Sequence, residues 1–172
     1  MMSNYLSDEE IQTVLGDYDA QTAMVRENIN ALSRDLSGLS DDIYEYMSWY
    51  DGGGMAERPA GAKGNNDPVS LIVEKKDREL RLYRKELLRA LAVQTARLDH
   101  IRKIHIAYLS LGAEEYLVMR TLYEERVPWK AAAEKLCFSK RKMLAVRKHA
   151  LDRIRAHVER MEVPHSPDED CV

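Results

Sequence analysis

Apolar residues recur through the first third of the chain at alternating steps of four and three. From Ile11 they fall on Leu15, Tyr18, Thr22, Val25, Ile29, Leu32, Leu36, Leu39, Ile43, Tyr46 and Tyr50, with Thr22 the single polar member. A seam held that long predicts a helix packed lengthwise in coiled-coil fashion. Ser7 followed three residues later by Glu10 has the spacing of a capping box, and Asp8, Glu9 and Glu10 set negative charge against the positive end of the helix dipole. Gly16 and Gly38 each weaken a helix by up to about 1 kcal/mol relative to Ala, and a bend or break is expected near Ser37 and Gly38.

A second, looser stripe runs through Val69, Ile72, Val73, Leu80, Tyr83, Leu87, Leu91, Leu98, Ile101, Ile104 and Tyr108. Asp67 as cap and Pro68 in the first turn start this helix, and Gly112 is the expected C-cap at its end. Between the stripes, Asp51 to Asp67 holds five of the eight glycines and almost nothing apolar, the composition of a flexible loop. As single helices, residues 7–50 would span roughly 66 Å and residues 68–109 roughly 63 Å at 1.5 Å per residue. Matched lengths joined by a loop able to reverse direction favour an antiparallel helical hairpin.

The period then shortens into a different layout. Leu117, Met119, Leu122 and Tyr123 give a short helix (Leu117 to Glu125) an apolar face, and Val127-Pro128 breaks it. Trp129 and Leu136 lie seven apart on one face of the next helix, where Ala132 and Ala133 are small enough for a close crossing. A turn at Cys137 and Phe138 follows, and Ser139 caps a long helix whose Met143, Val146, Ala150, Leu151 and Ile154 form its buried face. Order and lengths are those of a helix-turn-helix with a reader helix at its end. The fold class expected is therefore all-α. A helical hairpin or coiled-coil region (residues 1–110, loop 51–67) precedes a helix-turn-helix (111–160), and a disordered acidic tail (161–172) follows.

Charge sharpens this picture. Charged residues make up 32% of the chain and aromatics 7%, which suits long, partly exposed helices better than one compact globule. The net charge of −3 hides an asymmetry: ten acidic residues face two basic ones from Ser3 to Tyr50, whereas ten basic face five acidic from Val69 to Ser110. From Ser139 to Val158 seven basic residues stand against Asp152 alone. The first contrast supports pairing of the two long helices, within a chain or between chains as self-association. The second suggests a polyanion partner.

On the last helix, Lys140, Arg141, Leu144, Ala145, Arg147 and Lys148 are expected to point away from the core. Ser139, Lys140, Arg141 and Lys142 form the end that enters a major groove, and Ala145 allows close approach one turn later. Arg147, Lys148, Arg153 and Arg155 are placed for phosphates, which supply affinity without sequence information. The partner expected is double-stranded DNA.

Other chemistry finds little foothold. Cys137 and Cys171 have no Cys or His at metal-ligand spacing, and His100 and His105, five apart, do not share a helix face, so both are read as surface or interface histidines. The three successive glycines Gly52, Gly53 and Gly54 lack the strand before and the Gly-Lys-Ser/Thr after that a phosphate loop needs. No Ser, His and Asp set or carboxylate pair stands on a recognisable scaffold, so neither an enzyme nor a cofactor or metal is expected. Met1 to Glu10 carries no signal segment and no apolar run reaches membrane-spanning length, so a soluble, cytoplasmic protein without a membrane partner is expected.

Trp129, Ala132, Ala133, Leu136, Ser139, Met143, Val146, Ala150-Leu151 and Ile154 together resemble region four of bacterial sigma-70-type factors, the helix-turn-helix that reads the −35 promoter element. With Tyr123 and the helical N-terminal part, the layout also resembles phage and prophage late-transcription regulators of the RinA/ArpU type. The specific likeness covers about 45 residues, roughly a quarter of the 172. It implies a DNA-binding transcriptional regulator with RNA polymerase as a partner. No counterpart of the core-promoter-binding sigma region is recognisable upstream, so such a reader would need a partner to start transcription. A phage DNA-packaging subunit of the small-terminase kind and a coiled-coil adaptor are the alternatives from other classes.

Overall fold

The computed structural model describes residues 6–52 and 68–162, with side chains for 6–39 and 75–162. Its regular structure is helical, as the periodicity predicts, and no strand occurs among the described residues. The helices are α1 (Asp8–Gly16), α2 (Tyr18–Gly52), α3 (Pro68–Leu109), α4 (Ala113–Met119), α5 (Trp129–Lys135) and α6 (Lys140–Glu162), with a π-helical turn, Arg120–Glu124, between α4 and α5. No described helix is long and apolar enough to cross a membrane. The expected loop lies outside the described residues apart from Asp51 and Gly52, which extend α2, and so do the Asp67 cap and the acidic tail from Val163.

The N-terminal seam is interrupted, but not where expected. The break falls at Gly16 and Asp17, and Gly38 lies inside unbroken helix with nothing within 4 Å of where a Cβ would stand. At Gly16 the freed carbonyl accepts from the Arg126 guanidinium at 3.1 Å, and the same group pairs with the Asp17 carboxylate. Half of the expected capping box forms. Ser7 Oγ accepts from the Glu10 amide at 3.1 Å, but Glu10 Oε1 turns instead to His100 Nε2, 2.9 Å away.

The chain divides into two units, residues 1–24 with 97–172, and residues 25–96. The boundary expected at residue 110 therefore moves: α1, the first turns of α2 and the end of α3 belong with α4, α5 and α6. In the second unit Val25, Leu39 and Leu87 are buried, and Arg81 pairs with Asp77 one turn away. Tyr83, on the expected α3 stripe, is half exposed.

Among the described residues, the first unit carries most of the buried ones. Ile11, Val14 and Leu15 of α1, Ile101, Ile104, Ala107 and Tyr108 of α3, and Leu151, Ile154 and Val158 of α6 are nearly inaccessible. Thr22, the polar member of the seam, is buried too, its hydroxyl donating to the Asp19 carbonyl at 3.1 Å. His105 departs from the surface reading. Its ring stacks on Tyr18 at 3.8 Å between centroids, and Tyr108 stacks on Tyr116 at 4.9 Å. Its Nδ1 is buried without a hydrogen-bond partner, and burial lowers its pKa against the opposing pull of Glu124 and Asp19.

Candidate nucleic-acid interface

The helix before the break begins earlier than its apolar pattern implies. Gly112 is extended (φ −66°, ψ 158°) and serves as N-cap of α4 rather than C-cap of α3. Glu115 reaches back to accept from the Gly112 amide at 3.0 Å. After Met119 the chain widens into the π-helical turn. Along α4 the buried face runs through Glu115, Val118 and Met119 at ordinary helical spacing, and Leu117, expected inward, is half exposed because it stands about 200° from Met119.

The turn between α5 and α6 is a Schellman motif. The Phe138 amide donates to the Ala133 carbonyl at 2.9 Å and the Cys137 amide to that of Glu134 at 3.2 Å. Cys137 takes the left-handed conformation (φ 54°) that favours glycine. Ser139 then caps α6, its Oγ accepting from the Lys142 amide at 3.2 Å and its carbonyl from the Met143 amide at 2.9 Å. Val118, Ala132 and Met143 are fully buried together, and Leu122, Trp129, Leu136, Phe138 and Val146 pack around them. Ala132, more than Ala133, is the small residue at the crossing. This packing is what aims the start of α6.

The ten candidate residues separate by what they touch. Ser139 is a cap. Lys140, Arg141, Leu144, Ala145 and Lys148 are exposed, and none of the three cations among them has an ion-pair partner among the described residues. Lys142 is half engaged: its ammonium pairs with Glu114 and lies 4.0 Å from the centre of the Phe138 ring.

The remaining arginines correct the sequence reading. Arg147, expected to point outward, is three-quarters covered and donates to the Tyr123 hydroxyl at 2.6 Å, with Asp8 at 3.9 Å. Arg155 donates to the Leu6 carbonyl at 2.9 Å, to Asp152 at 2.9 Å and to Asp8. Arg153 donates to Glu115 at 2.7 Å. All three tie α6 to its neighbours instead of standing ready for phosphates. Apart from Asp152, their partners lie in distant parts of the chain, which helical spacing along α6 cannot show.

Glu115 is the functional-looking group that apolar pattern alone passes over. Its side chain is 10% exposed and meets the Gly112 amide, Arg153 and His149, whose Nδ1 is 2.5 Å from Oε1. Burial pushes the carboxyl's pKa up, but the Gly112 amide, His149 and Arg153 outweigh it and hold it below the ordinary 4.5. The three-residue step from Gly112 to Glu115 was the available signal, since it is the capping-box step with glycine as cap. Beside the free cations, a groove of about 570 Å³ at the α5–α6 junction is lined by Trp129, Lys130, Ala133, Phe138 and Lys140 among others. The arrangement offers donors and an apolar patch on one protruding helix end. No family model, curated protein or solved structure matches the chain.

Proposed function

We propose that this chain is a sequence-specific DNA-binding transcriptional regulator that lays the first two turns of α6 in the major groove. The observation that carries this reading is the set of unpaired cations Lys140, Arg141 and Lys148 on the exposed start of a helix braced by α4 and α5. Arg141 is the candidate for bidentate contact to guanine, and Lys140 and Lys148 hold phosphates. The likeness of Trp129 to Arg155 to the sigma-70-type promoter-reading module supports the same assignment. α2 and α3 then serve self-association, as an antiparallel pairing within or between chains, or contact with RNA polymerase.

Selection of bound duplexes from a random pool tests it: an enriched motif is expected, and recovery without enrichment would reduce the protein to a basic DNA-coating chain. A salt titration on the selected duplex gives the number of phosphates. With two lysines on phosphates instead of the whole basic run, the log–log slope should be about −1.8. Absence of binding to any duplex at low salt overturns the reading.

A further inference from the structure

One strip of α6 changes character along its length, from exposed to buried. Successive helical residues turn by about 100°, so Leu144, Leu151 and Arg155 lie within about 40° of one another on the circumference. Toward the C-terminus that strip is occupied. Leu151 is 2% exposed, and Arg155 is held by the Leu6 carbonyl and Asp8. Two turns earlier the strip is open, and Leu144 stands 49% exposed.

An exposed leucine alone signifies nothing, because folded proteins expose many. The surroundings of Leu144 are what distinguish it. Lys140 lies one turn before it and Lys148 one turn after, in line along the helix, with Arg141 and the methyl of Ala145 on the adjacent row. All three cations are exposed and without ion pairs among the described residues, and they surround an apolar side chain that contributes nothing to the core. A helix gripping phosphates on both sides through Lys140 and Lys148 holds the residue between them over the groove floor. The one apolar feature on that floor is the C5-methyl group of thymine.

We infer that Leu144, assisted by Ala145, is a specificity-determining residue that reads thymine through methyl contact in the major groove. The inference rests on the DNA-binding function proposed above and adds the chemistry of one base position to it. It also divides the work on the helix end: charge fixes the register, and Leu144 discriminates.

The test uses the full chain and the duplex recovered from the random pool, with each thymine replaced in turn by uracil, which removes only the methyl group. Wild-type protein should lose about fourfold in affinity at one thymine, the worth of one methyl-sized group. Leu144→Ala should bind the thymine duplex about fourfold or more weakly and be indifferent to uracil at that position. Because Leu144 is exposed, its thermal unfolding should match wild type, which separates loss of contact from loss of fold. If wild type binds the selected duplex but no uracil replacement has an effect that depends on Leu144, this inference falls and the proposed function stands. Failure to bind duplex, or to enrich any motif, overturns both.

Discussion

Two sets of cations on α6 look alike in sequence and differ in the folded protein. Lys140, Arg141 and Lys148 meet no carboxylate among the described residues, while Arg147, Arg153 and Arg155 are bonded to Tyr123, Glu115, Leu6, Asp8 and Asp152. A charge run is therefore not a count of charges available to a partner. Arginine's fixed fork of donors suits it to join a carbonyl and a carboxylate at once, as Arg155 does, and the lysines left outside are the better measure of phosphate contacts.

The contrast can be attacked from several sides. Leu151→Ala removes a buried side chain beneath both sets and should destabilise by about 2–5 kcal/mol. Urea denaturation reads this directly, and a small change would mean that α6 is not anchored as described. Arg155→Ala should follow at about 1–2 kcal/mol, since a charged hydrogen bond to a covered carbonyl is lost while Asp8 remains half solvated. If that variant proves as stable as wild type yet binds DNA more weakly, Arg155 belongs with the free set and the division dissolves.

Acid titration probes the same bonds. Glu115 has its native pKa held below 4.5, so the unfolded chain takes up the proton first. Its contribution is fully present above about pH 4.5 and is lost as pH falls through the lowered native value. His105, lowered from 6.5, acts in the same direction at higher pH, because burial disfavours its charged ring more than Glu124 and Asp19 favour it. Thermal melts between pH 7 and pH 4 should therefore decline in two stages. Glu115→Gln should flatten the lower stage and His105→Phe the upper.

The smallest effect on stability belongs to the free set. Lys148→Ala should change it by no more than about 0.5 kcal/mol, yet make the salt slope of DNA binding shallower by about 1. A stability loss as large as that of Arg155→Ala would erase the distinction.

What was legible in the sequence was local. Ser139 as cap, Pro68 at a helix start, Trp129 after the break and the inward face of α6 each follow from residues within a few positions of one another. Reading stopped where the decisive partner lies far away. Gly16 and Gly38 carry equal intrinsic weakness, and what separates them is Arg126, 110 residues on from the Gly16 carbonyl it binds. Gly112 was assigned to the wrong helix because the Glu115 side chain, not the apolar stripe, decides which end it caps. Leu117 and Met119 stand about 200° apart on a helix, so both cannot face inward, and the carboxylate of Glu115 marks the buried side that Val118 and Met119 share. On α6, composition shows the basic run, but only three-dimensional pairing shows which of its cations are engaged.

The bond from Arg155 to the Leu6 carbonyl joins residues 149 positions apart, and the first unit is built from both ends of the chain with residues 25–96 intervening. During synthesis α1 emerges well before α6, so Asp8 and the Leu6 carbonyl meet the Arg155 guanidinium only after the intervening residues have been translated. The first unit thus completes only after α6 has left the ribosome. Loop-closure entropy grows slowly with length, so the delay weighs on folding rate and on the exposure of nascent apolar surface far more than on final stability. A chain cut short before Arg155 would leave the Leu6 carbonyl and Asp8 without the guanidinium that joins them to α6.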